Sequence, residues 1–147
     1  MTADVAGACD ADPQAEVERL RAELAEERRR SAELQEFLDQ AAEGVHMVGP
    51  DGTILWANAA ELCMLGYEAH EYIGHNIAEF HADRHTVDDF LARLLKGETL
   101  RSRAARLRCK DGSIKHVAVS SSGMFRGGDF VHSRCFTRDV TPEREAA

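Results

Sequence analysis

From residue 16 to residue 42 the chain holds neither glycine nor proline, and its apolar residues recur three and four apart: Val17, Leu20, Leu24, Leu34, Leu38 and Ala41. That spacing on helix-favouring residues predicts a coiled-coil helix over 16–42. Glu27 and Ser31 occupy the two intervening core positions, a polar break that weakens pairing and restricts its register. After Gly44 the period shortens to that of strands. Segments 45–49 and 53–57 are rich in β-formers and flank Pro50-Asp51-Gly52, where proline presets φ and glycine accepts the positive φ of a tight hairpin turn. Asn58 with Glu61 three residues on fits a capping box, so a helix should begin there, with Leu62, Cys63, Met64 and Leu65 as its buried part and Gly66 as its stop.

A short helical turn over 68–73 ends at Gly74, and 76–84 reads as an irregular connector. Segment 86–96 places Val87, Phe90, Leu91, Leu94 and Leu95 at helical spacing and stops at Gly97. Three longer strands, 100–109, 114–124 and 130–137, are joined by Lys110-Asp111-Gly112-Ser113 and Arg126-Gly127-Gly128-Asp129, both hairpin-type turns. Helix, two strands, short helices, three strands is an α+β order with an antiparallel sheet. In the 114–124 strand Val117 and Val119 lie on one face and Ile114, His116 and Ala118 on the other, so both faces carry apolar side chains. The short helices can cover one face. The N-terminal helix or a second subunit is the natural cover for the other.

Charge sharpens the division. The chain has 147 residues and a net charge of −8. Residues 1–44 carry 12 acidic residues against 5 arginines, and the remainder 14 acidic against 13 basic. The excess acidity sits on the N-terminal helix, and no basic face invites a nucleic acid. No apolar run approaches a membrane span, and the start lacks the basic and apolar segments of a secretory signal, so a soluble cytoplasmic protein is expected. Cys9, Cys63, Cys109 and Cys135 have no zinc-type spacing and read as free thiols. The expected organisation is a disordered 1–15, a dimerisation helix 16–42, a sensory domain 43–142 and a tail 143–147.

Four stretches, LQEFLDQAAEGVHMVGPDGTILWANAAELCMLGY, EYIGHNIAEFH, RLRCKDGSIKHV and FTRDVTPERE, stand in an order and spacing that resemble the PAS domain family over residues 34–145. The resemblance implies a PAS fold: a five-stranded antiparallel sheet in spatial order 2-1-5-4-3, short helices on one face, and a cavity between them for a cofactor or metabolite. It also implies a signalling module and not an enzyme. No GxSxG elbow, phosphate loop or phosphoacceptor arrangement is present to argue otherwise. The closing Asp-Val-Thr matches the family position where the last strand hands a signal onward, and with six residues after Thr141 no output domain is expected in the chain.

The related light-sensing branch places a cysteine in the connector for addition to flavin. Here that stretch is Gly74-His75-Asn76-Ile77-Ala78-Glu79-Phe80-His81, without cysteine, which argues against that photochemistry. Haem-binding relatives use a histidine near the long helix as axial ligand, which singles out His85 and then His81. In the oxygen sensors the ligand precedes the helix's aromatic-apolar stretch by three residues, where this chain has Val87. His81 and His85 are also i, i+4 and could grip a metal if that turn were helical. Trp56, Met64, the connector and Phe90 are expected to line the cavity. Trp56 can equally be a core or dimer-surface aromatic. Arg103, in strand phase with Ala105 and Leu107, is a candidate for a carboxylate ligand at the rim. Three functions follow: a stand-alone sensory module that forms a parallel homodimer and acts on a partner such as a histidine kinase, a haem-based gas or redox sensor, or a ligand-free dimerisation adaptor.

Overall fold

The computed structural model describes residues 12–141, and the chain divides into two units, one ending at Phe37 and the other beginning at Leu38. The expectations for residues 1–11 and 143–147 lie outside the described residues. Helix α1 runs Pro13–Asp39. It starts before residue 16 because Asp12 caps it, its carboxylate accepting from the Gln14 amide at 3.0 Å, and Pro13 supplies a helical φ where no amide is needed. It stops before residue 42. Val17, Leu20, Leu24 and Leu34 of the seam are exposed, and Glu27 pairs with Arg30 at 3.0 Å instead of meeting an apolar neighbour.

The second unit is a five-stranded antiparallel sheet in the order β2-β1-β5-β4-β3. Its strands are β1 (Gly44–Val48), β2 (Ile54–Ala57), β3 (Leu100–Arg108), β4 (Ile114–Arg126) and β5 (Asp129–Asp139). Between β2 and β3 come α2 (Ala59–Leu65), α3 (Ala69–Tyr72), a 3₁₀ turn (Ile77–Phe80) and α4 (Arg84–Leu95). The connector is thus more ordered than its irregular sequence suggests. Asn76 caps the 3₁₀ turn through the Ala78 amide at 3.0 Å, and Glu79 reaches back to the Asn76 amide at 3.0 Å.

Pairing of His46 with Ala57 and with Cys135, of Cys135 with Ser121, and of Ser121 with Leu100 draws one row straight across the sheet's inner face. The short helices cover that face with Leu65, Tyr72, Ile77, Phe80 and Val87, packed on Val48, Ile54, Leu107, Val117 and Val119. Tyr72 and Phe80 rings lie 4.7 Å apart and Tyr67 stacks beside them. Period-2 alternation on the strands and period-3.6 on the helices both aim their apolar sides at this one layer. On the outer face Met47 pairs with Trp56, while Leu55 and Phe136 are exposed. No helix among the described residues is long and apolar enough to cross a membrane.

Candidate functional site

Between the inner face and the helices lies a cavity of about 40 Å³, with His46, Glu61, His81, Phe90, Cys135 and Thr137 among the residues of its wall. A space of that size accommodates roughly one to three waters. Its composition is unlike the surrounding core. His46, Cys135 and Ser121 are adjacent in the cross-strand row, and Ser133 and Thr137 flank Cys135 two residues either side on the same face.

Asn58 explains how a glutamate comes to be in this layer. Its Oδ1 accepts from the amides of Val45 (2.9 Å) and Glu61 (3.0 Å), and its Nδ2 donates to the carbonyls of Leu38 (2.6 Å) and Glu43 (3.1 Å). Both sides of the amide are satisfied, and the residue is fully buried. Only half of the expected capping box therefore forms. The Glu61 side chain, instead of returning to the Asn58 amide, points into the core, where Tyr72 donates to its Oε1 at 3.1 Å and His46 Nδ1 stands 3.4 Å from the same oxygen. That last pair is close enough for attraction between charges but not aligned as a hydrogen bond. Accordingly Glu61 and Leu65 are the buried residues of α2, and Cys63, expected inside, is exposed.

Gly44 makes room for this carboxylate. A Cβ there would run into Glu61 Oε2, so Gly44→Ala should displace the glutamate and cost about 1–3 kcal/mol, read as a lowered urea midpoint. An unchanged midpoint would show that the carboxylate has freedom to move aside.

Among the described residues four buried side-chain polar atoms have no hydrogen-bond partner: His46 Nδ1, Glu61 Oε2, His81 Nδ1 and Thr137 Oγ1. All four residues line the cavity. Burial lowers the His81 pKa to about 4, aided by the nearby His46, so its imidazole is neutral near pH 7. For His46 burial acts in the same direction, but Cys135 and Glu61 outweigh it and hold the imidazole well above its ordinary value. Conversely, burial alone would raise the Cys135 thiol, yet His46 and the hydroxyls of Ser121 (2.9 Å) and Ser133 (3.4 Å) leave it lowered. Burial and the Glu61 charge keep Tyr72 protonated as the donor.

Of the six residues singled out from sequence, His81 and Phe90 stand in the cavity wall, and Trp56, Met64, His85 and Arg103 do not. Trp56 lies on the outer face, because a bulge at Leu55 accompanies the pairing of Met47 with Trp56 and of Val48 with Ile54. Met64 lies on the side of α2 towards Cys109 and Lys110. His85 is exposed on the first turn of α4. His81 sits in extended backbone before that helix, so the pair does not share the helical turn that a joint metal grip requires. Arg103 is exposed beyond a bulge where Ser102 adopts φ 47°, which turns Leu100 inward. Among the described residues no three His, Cys, Asp or Glu side chains gather as a metal set.

The neutral His81 imidazole suits an axial haem ligand in its chemistry, but about 40 Å³ does not fit a macrocycle, since pockets for drug-sized molecules run to roughly 300–1,000 Å³. Haem and flavin are therefore not matched by the space present.

The model of the PAS fold matches residues 38–145, and the chain belongs to that family, whose domains are typically sensory signalling modules. Among solved structures it is similar to the PAS domain of an HTR-like protein from Haloarcula marismortui, at 24% identity and TM-score 0.70, covering 84% of this chain and 99% of that one. It also resembles a domain of a sensory box sensor histidine kinase/response regulator from Geobacter sulfurreducens (22% identity, TM-score 0.62, 75% of this chain and 94% of that one). An RNA-binding light-oxygen-voltage receptor matches at 23% identity and TM-score 0.70, over 78% of this chain and 34% of that one. At these identities the likeness is one of fold. No curated protein matches the sequence.

Proposed function

We propose that the chain is a sensory module whose PAS unit reads a molecule of a few heavy atoms in the inner cavity and passes the event to paired α1 helices in a homodimer. The dimer would act on a signalling partner such as a histidine kinase. The observation that carries this reading is the set of four unpartnered buried polar atoms around one small cavity. A space filled only by its own side chains, as in a passive adaptor, would not leave them unmet at a cost of roughly 1–3 kcal/mol each. A route outward is built in. Glu61 faces the cavity, its amide is held by Asn58, and Asn58 also holds the Leu38 carbonyl at the end of α1.

Pairing of α1 is favoured by its exposed apolar seam, which water would otherwise cover. The outer sheet face, with Leu55, Trp56 and Phe136, offers further apolar surface for the second copy, as a short interrupted coiled coil needs. Sedimentation velocity tests both parts. Leu24→Asp with Leu34→Asp should weaken the dimer at least tenfold, and Glu27→Leu should tighten it. Glu61→Gln, which changes only the cavity, should shift the dimer constant several-fold. A monomer at tens of micromolar, or a constant that Glu61→Gln leaves unmoved, would overturn the reading.

A further inference from the structure

Cys135 brings a thiol to the cavity wall, and the function proposed above does not use it. Three observations set it apart from an inert buried thiol. It is the cross-strand neighbour of His46 and Ser121, so an imidazole and a hydroxyl flank its sulfur. It opens onto a space lined by polar atoms that lack partners and are more than nine-tenths buried: His46 Nδ1, Glu61 Oε2 and Thr137 Oγ1. And the helix-side wall includes Phe90 and Leu91, which are only half-buried, so a thin layer separates the cavity from solvent.

We propose that Cys135 is an oxidation site for hydrogen peroxide, which enters the cavity in place of water and converts the thiol to a sulfenic acid. The inference rests on the cavity being the input site and names the chemical class of its signal. Peroxide has two heavy atoms and water-like polarity, so about 40 Å³ admits it, whereas a bulky hydroperoxide or an aromatic disulfide is excluded. The thiolate sulfur attacks one peroxide oxygen. The S–O bond forms as the O–O bond breaks, sulfur gives up two electrons, and the departing hydroxide takes the proton of the His46 imidazolium and leaves as water. His46 thus serves twice, favouring the thiolate and supplying that proton. The hydroxyls of Ser121 and Ser133, now on the sulfur, can hold the new oxygen. Cys109, the other buried cysteine among the described residues, directly follows β3, two strand steps of ~4.8 Å away and beyond disulfide reach, so the sulfenic acid has no resolving partner there.

The test exposes the reduced full chain to hydrogen peroxide, quenches in denaturant containing dimedone and a maleimide, and follows each cysteine by peptide mass spectrometry. Cys135 should oxidise at least tenfold faster than Cys109. Its rate should level off below the ordinary thiol range of about pH 8.5. His46→Gln should slow it at least tenfold and restore a rate that climbs towards about pH 8.5. Cumene hydroperoxide and an aromatic disulfide should modify Cys63 and leave Cys135 intact. The proposal is overturned if Cys135 oxidises no faster than Cys109, or if the wild-type rate keeps climbing to about pH 8.5, a readout that holds even if the variant misfolds. Oxidation of Cys135 without any change in the dimer constant would retain the site and reject the cavity as input. A dimer constant moved by Glu61→Gln with Cys135 inert would do the reverse.

Discussion

Asn58→Ala should destabilise the PAS unit by roughly 3–5 kcal/mol, a large part of the ~5–15 kcal/mol that holds a domain folded. Loss of an exposed helix cap costs about 1 kcal/mol. Here the same side chain also satisfies the Val45 amide and the carbonyls of Leu38 and Glu43, with no exposure to water. Alanine takes this partner from the amides of Val45 and Glu61 and the carbonyl of Glu43, and leaves the Leu38 carbonyl with the Ala41 amide alone. Asn58→Asp should be nearly as damaging, because it keeps the two acceptor contacts but sets carboxylate oxygen against two carbonyl oxygens. Urea denaturation of both variants gives the answer. A loss near 1 kcal/mol for Asn58→Ala would reduce the residue to an ordinary cap.

The second large effect is a fall in stability on mild acidification, assigned to His81. The unfolded imidazole takes a proton below about pH 6.5, whereas the folded one stays neutral down to about 4, held there by burial and the nearby His46 against the opposing charges of Glu61 and Asp83. Between those values the unfolded chain binds a proton that the folded chain does not, so stability must fall as pH falls. The ceiling set by a shift of that size is about 3 kcal/mol, and partial exposure of the ring reduces it to roughly 2. His46 works with the opposite sign. Its raised value gives stability that is complete below about pH 6.5 and is lost only as pH climbs through the folded value, so it does not produce the acid limb. Asp51, Asp83, Asp111 and Asp139, all lowered, release their contributions below about pH 4. Denaturation of wild type and His81→Gln at about pH 7 and about pH 4.5 isolates the histidine. The variant should lose about 2 kcal/mol less, and an equal loss in both would reject the assignment.

The fold was legible because the strands alternate, the turns carry Asp-Gly or Gly-Gly, and the short helices stop at Gly66 and Gly97, so local chemistry and tertiary arrangement agree. The cavity was less legible. Trp56 was read by strand phase alone, and the bulge beside Leu55 shifts that phase by one residue, which no periodic template registers. Arg103 keeps its phase with Ala105 and Leu107, but on the edge strand β3 it is exposed and outside the cavity wall, which phase alone does not reveal. Glu61 was missed as a buried group because a glutamate after a capping asparagine reads as half of a capping box. The signal that could have exposed it is its spacing: Glu61 and Leu65 are i, i+4, so the carboxylate shares the face of a buried leucine. His46 and Cys135 needed the register. They are 89 residues apart in sequence and become neighbours only when β1 pairs with β5.

The proposal that the PAS unit holds a molecule of a few heavy atoms, and not a chromophore, rests on the size of its cavity. Its most direct test is the absorption spectrum of the purified full chain after supplementation with haemin and, separately, with flavin mononucleotide, combined with mass spectrometry of what denaturation releases. No Soret band and no flavin band are expected, with His81 free and the cavity water-filled. A stoichiometric Soret band that disappears in His81→Ala would contradict the proposal, and would show that the helices over the sheet open far enough to admit a macrocycle.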